Sequence, residues 1–141
     1  MIDMVDTGDE PLGYLVQRLA MSLRAQMTST ALDPVGLSFP QYICMRILSK
    51  NPGRSNADLA RDVNVSPQAM NMVVRVLQER GLVARPATVD SGRSLPAELT
   101  RDGVELLRQT DAGVREAERK VLAPLGEQDR RQFRRLLAEL G

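Results

Sequence analysis

The chain has 141 residues, of which 43% are hydrophobic and 26% charged, and its formal net charge is +1. That length suits one domain with its own core, and the composition excludes a disordered polyelectrolyte and a membrane-spanning bundle. With no histidine and a single cysteine, Cys44, the commonest catalytic base, the commonest transition-metal ligand and any intrachain disulfide are missing, so neither enzyme activity nor a cofactor is expected.

The opening MIDMVDTGDEPLG carries Asp3, Asp6, Asp9 and Glu10 and no base. It has no basic region followed by an apolar one, so it is not read as a secretory signal, and a cytoplasmic protein is expected. From Leu12 to Leu32 the residues Leu12, Leu15, Leu19, Leu23 and Met27 recur at helical spacing, and Asp33-Pro34-Val35-Gly36 should break that helix. Ser38 caps a second helix through Leu48, ended by Asn51-Pro52-Gly53. Ser55, with Asp58 three residues on, has the pattern of a capping box, and SNADLARDV should be a short helix with Leu59, Ala60 and Val63 turned inward.

After the turn Asn64-Val65, Ser66 is a strong N-cap and Pro67 fits a first helical turn, where its missing N–H costs nothing. In the helix from Ser66 to Arg80 the expected apolar stripe is Ala69, Val73, Val76 and Leu77, which leaves Gln68, Asn71, Met72 and Arg75 on the other face. Two short capped helices joined by a tight turn form a helix-turn-helix pattern. Gly81 stops the second helix, and Leu82–Arg85 and Leu95–Leu99 flank a tip of Asp90-Ser91-Gly92-Arg93, a hairpin beside the helices. Pro86 and Pro96 remove ladder donors, so its strands should be short. Thr100 caps a long helix through Val121, Pro124-Leu125-Gly126 interrupts it, and a last helix from Glu127 to Leu140 puts Phe133, Leu136, Leu137 and Leu140 on one side. Between Arg54 and Arg93 the chain carries six arginines against four acidic residues, a mildly basic middle that permits nucleic-acid binding without requiring it.

The segment LSFPQYICMRILSKNPGRSNADLARDVNVSPQAMNMVVRVLQERGLVARPATVDSGRSLPAELTRDG, from Leu37 to Gly103, resembles the multiple-antibiotic-resistance-regulator (MarR) family of bacterial winged-helix transcription regulators. The pair Leu59-Ala60, the stop Gly81-Leu82-Val83, the tip Gly92-Arg93 and the closing Leu99-Thr100 with Gly103 carry the resemblance, in this order and at these spacings. It implies a mainly α fold with a small β-hairpin wing: residues 10–32 and 101–141 as dimerisation helices and 37–100 as a winged helix-turn-helix, in one 141-residue domain. It also implies a homodimer on double-stranded, near-palindromic operator DNA. A homodimer also suits three amphipathic helices lying outside the compact reading head.

On that resemblance Gln68 and Asn71 are amides able to read adenine, Arg75 reaches a phosphate or a guanine, and Met72 meets a thymine methyl or a sugar edge. Ser55, Ser66 and Pro67 open helices whose free N–H groups can face phosphates, and Arg93 enters the minor groove. The family usually has an acidic residue where this chain has Ser91, with Asp90 displaced by one. The implied effector is a small aromatic carboxylate or phenol near Arg18, Ser22, Tyr42 and Met45, which releases a repressor from its operator. Two other readings stay open: a redox regulator of the same fold acting through Cys44, and a winged-helix interaction module that does not bind DNA. Cys44 lies between Ile43 and Met45, a setting that favours an inert buried thiol.

Overall fold

The computed structural model of the protein describes residues 7–85 and 97–141. Helix α1 spans Leu12–Met27, α2 Phe39–Lys50, α3 Asn56–Val63 and α4 Pro67–Glu79; strand β1, Val83–Ala84, and strand β2, Glu98–Leu99, precede α5, Arg101–Val121, and α6, Glu127–Leu140. A short 3₁₀ turn, Thr7–Asp9, leads in. The fold is mainly α with a small antiparallel sheet, as the sequence implied.

Local chemistry accounts for most helix ends. Ser38 and Gln41 form a full capping box: the Gln41 N–H donates to Ser38 Oγ (3.2 Å) and the Ser38 N–H to Gln41 Oε1 (3.0 Å). Ser55, Ser66 and Thr100 accept from the N–H of Asp58 (3.1 Å), Ala69 (3.0 Å) and Gly103 (3.1 Å). The box expected at Ser55 is only half made, because the Asp58 carboxylate turns to Arg61 and to Arg54 (3.7 Å). Charge pairing wins there over the return bond to the cap.

The first helix also differs from expectation. Its α-helical part stops at Met27, a π-helical turn runs over Thr28–Leu32, and a 3₁₀ turn, Asp33–Val35, ends at Gly36 with φ 72°. The wider turn coincides with a close crossing, since a Cβ on Gly113 of α5 would lie 2.8 Å from Ala31 Cβ.

The core is built by Leu32, Cys44, Met45, Leu48, Leu59, Met70, Val74 and Leu77, closed on one side by Leu82 and Val83 and on another by Leu107 and Val114 of α5. Helix α3 ends at Asn64, which takes φ 64°, a conformation asparagine tolerates better than most side chains. The Val65 N–H then reaches back to Ala60 O (3.0 Å), so the chain turns sharply into the Ser66 cap.

In α4 the buried residues are Met70, Val74 and Leu77, with Val73 and Val76 half-buried. The expected apolar stripe is therefore rotated: Ala69 is exposed and Met70 takes its place in the core. Both registers satisfy helical spacing, and the larger Met70 side chain removes more apolar surface from water.

Strands β1 and β2 pair antiparallel, Val83 with Leu99 and Ala84 with Glu98, and Ala97 bridges to Arg54. The wing tip expected at Asp90–Arg93, with Pro86, Leu95 and Pro96, lies outside the described residues. In the single chain α1 and α6 bury no residue; Leu12 is 78% exposed and Leu140 86%. No helix among the described residues is long and apolar enough to cross a membrane.

Candidate nucleic-acid interface

Helix α4 presents Pro67, Gln68, Asn71, Met72 and Arg75 on one exposed surface, beginning at the Ser66 cap. Met72, 58% exposed, is the apolar side chain beside the polar Gln68, Asn71 and Arg75. Ser55 and Ser66 occupy their Oγ atoms in capping, so their helix N-termini, and not free hydroxyls, face outward.

The basic middle of the chain is mostly committed to structure. Arg54 donates to Asp62 (2.6 Å), an interaction that raises the Arg54 pKa chiefly through the hydrogen bond, and Arg61 pairs with Asp58. Arg80 donates through Nη1 to Gly36 O (2.9 Å) and through Nη2 to Val35 O (3.0 Å), which ties the end of α4 to the turn after α1. Arg85 donates through Nη2 to Asn56 Oδ1 (3.2 Å). Among the described residues from Arg54 to Arg85, Arg75 is the arginine left with no ion pair or hydrogen bond. It points from the same surface as Gln68, Asn71 and Met72.

Two residues that sequence reasoning passed over belong to this surface. Asn56, 9% exposed, donates through Nδ2 to Asn71 Oδ1 and lies 3.5 Å from Pro67 O. Arg85, directly after β1, holds the oxygen of the same amide. A signal was present, because Asn56 shares the apolar stripe of α3 with Leu59, Ala60 and Val63 at helical spacing. A polar side chain there needs a buried partner.

The expected effector residues do not gather round a cavity in the single chain. Arg18 and Ser22 lie on the exposed side of α1, with the Arg18 guanidinium carbon 5.7 Å from the Tyr14 ring centre. Tyr42 and Met45 are buried core residues, and burial raises the Tyr42 pKa, with Arg46 opposing and Asp111 and Glu118 reinforcing. A cavity of about 630 Å³ lies between α5 and α6, near Arg115, Phe133 and Arg134, and another of about 220 Å³ lies near Arg46, Ser49 and Arg108; none of the four expected residues lines either. Cys44 is fully buried, and burial pushes its thiol pKa up to about 12, with Arg85 opposing.

Comparison with known proteins fits this geometry. The model of the MarR family matches residues 35–94, and the HTH-type transcriptional repressor Rv2887 of Mycobacterium tuberculosis is 51% identical over 133 residues, covering 94% of this chain and 95% of the relative. This chain belongs to the MarR family. Among solved structures, this MarR protein resembles Rv2887 in complex with salicylic acid (TM-score 0.81, 50% identity, 94% of this chain and 98% of that one). It also resembles Rv2887 in complex with DNA (TM-score 0.78, 45% identity, 94% and 99%). MarR of Escherichia coli, only 17% identical, shares the fold at a TM-score of 0.81 over 93% of this chain and 97% of that one. The winged helix-turn-helix architecture is thereby established, and this MarR-family chain is a regulator and not an enzyme.

Proposed function

We propose that the protein is a homodimeric transcriptional repressor of the cytoplasm that reads a near-palindromic operator with α4 and leaves it when a small aromatic carboxylate binds. The observation that carries the reading is the exposed surface Gln68, Asn71, Met72 and Arg75, with an arginine free of partners among the described residues. A helix entering the major groove needs side chains of this kind near its N-terminal half. The relative's name and its complexes with DNA and with salicylates support the same reading. Arg93, in the wing, would add minor-groove contact.

Residues 10–32 and 101–141 serve as the dimerisation part and 37–100 as the reading head. The support is the uncovered apolar surface of Leu12, Val16, Met21, Leu136, Leu137 and Leu140, which a second copy would remove from water. For the effector, Arg18 supplies the cation and Ser22 a hydroxyl. Tyr42 and Met45 become wall only when α2 repacks, and that repacking is how a ligand can favour one spacing of the two α4 helices over another.

The test is selection of bound duplexes from a random-sequence DNA pool, followed by fluorescence anisotropy on the selected site with salicylate added. A two-fold motif whose binding weakens with salicylate is expected. Failure to enrich any sequence overturns the repressor reading, and enrichment with no response to salicylate overturns the effector.

A further inference from the structure

We infer that Asn56 and Arg85 are specificity-determining positioning residues: they lock the orientation of the Asn71 amide so that its nitrogen, not its oxygen, is offered to DNA. The inference rests on the proposed reading of DNA by α4 and adds to it which base chemistry one of its side chains selects.

The orientation follows from donors and acceptors alone. A guanidinium has only donors, so the atom of Asn56 that faces Arg85 Nη2 at 3.2 Å is the amide oxygen. The other end of the Asn56 amide is then its nitrogen, and it faces Asn71. A donor facing Asn71 requires an acceptor, so Asn71 turns its oxygen inward. Its exposed Nδ2 has no protein partner among the described residues.

Burial makes the lock stiff. Asn56 is 9% exposed, so turning its amide would set a guanidinium N–H against an amide N–H where water has little access. Arg85 is held in place although its buried Nε finds no partner among the described residues, which leaves the Asn56 oxygen as the acceptor that its guanidinium does reach. The relay also joins three pieces of the fold: the start of α3, α4 and the residue directly after β1.

An outward amide nitrogen seeks base acceptors in the major groove, namely purine N7, guanine O6 or thymine O4. Bidentate reading of adenine would require the Asn71 oxygen to accept a second bond beside the one from Asn56. The relay therefore favours guanine or thymine, whose polar groups in the major groove are all acceptors, over adenine or cytosine, whose amino groups need an outward acceptor.

The experiment compares duplexes selected from a random-sequence pool by the full-length wild type, Asn71→Ala, Asn56→Asp and Arg85→Gln. Asn71→Ala should lose the preference at one position of each half-site, a fall of about five- to 150-fold in discrimination. Asn56→Asp has only acceptors, so it should still pair with Arg85 but force Asn71 to turn, and the preference at that same position should move from acceptor to amino-bearing bases. Loss of side-chain packing alone cannot produce such a reversal. If Asn71→Ala selects the wild-type motif unchanged, Asn71 reads no base and the inference falls with that part of the reading. If Asn71→Ala loses the preference while Asn56→Asp keeps the wild-type base, the relay is overturned and the α4 reading survives. Should Asn56→Asp fail to fold by circular dichroism, Arg85→Gln decides, because glutamine can donate or accept and should broaden the preference to both classes; an unchanged motif there overturns the relay.

Discussion

Gly103 approaches Leu82 so closely that a Cβ on it would lie 2.2 Å from Leu82 O. The same carbonyl accepts from the Thr100 N–H (3.1 Å), and Thr100 Oγ1 donates to Gly81 O (2.6 Å), so the start of α5 is clamped to the turn between α4 and β1. The obstacle is backbone, which cannot swing aside as a side chain would. Gly103→Ala should destabilise the protein by about 1–3 kcal/mol, seen as a lower urea midpoint with unchanged slope. A midpoint equal to that of the wild type would mean that the clamp opens at no cost.

The apolar faces of α1 and α6 lead to a second prediction. Leu136 and Leu140 are exposed in the single chain, 47% and 86% respectively, so a partner copy that covers them fully should gain about 1.5–3 kcal/mol at Leu140 and about half as much at Leu136. Sedimentation at micromolar concentration should show a wild-type dimer, and Leu136→Glu with Leu140→Glu should shift it toward monomer. A wild type that sediments as a folded monomer would refute the dimer.

Cys44 separates ligand sensing from thiol sensing. Its folded pKa, pushed up to about 12 from an ordinary 9.0, leaves almost no thiolate at neutral pH, so peroxide should not change DNA binding. The same shift sets a pH dependence. Above pH 9 the unfolded thiol ionises while the folded one stays neutral, so stability should fall as pH rises from about 9 to about 12, by up to ~1.4 kcal/mol per pH unit from this group. Cys44→Ala should remove that share of the slope in denaturation curves taken across the range. Peroxide-induced release of DNA that Cys44→Ala abolishes would instead favour the redox regulator.

Arg75 should contribute through charge. Because it has no protein partner among the described residues, Arg75→Ala should flatten the dependence of log Kd on log salt by about 0.9 per subunit if it meets a phosphate. Arg61→Ala, which removes a cation already paired with Asp58, should flatten it less. Anisotropy titrations between low and moderate salt distinguish the two. Equal slopes for Arg75→Ala and the wild type would place Arg75 off the phosphate backbone.

What could be read along the chain and what could not divide by the range of the forces involved. Ser38, Ser66, Thr100 and the Pro124-Leu125-Gly126 break act within about four residues of themselves, and so the bounds of α5, Arg101–Val121, and of α6, Glu127–Leu140, follow from the residues alone. The polar surface of α4 is equally local, since Gln68, Asn71, Met72 and Arg75 share one side of any helix through them. Which apolar residues go inward is another matter: Ala69 and Met70 are adjacent on the helix, and only the position of α2 and α3 decides that Met70 is buried. Family resemblance alone places Tyr42 and Met45 beside an effector, and in the single chain they are core residues of α2, which packs against α4 and α5. The contacts Asn56–Asn71 and Arg85–Asn56 span fifteen and twenty-nine residues. No local propensity encodes a bond between side chains so far apart in sequence; it exists because packing α3 on α4 removes water from Asn56, so its amide must find its partners in Asn71, Pro67 O and Arg85.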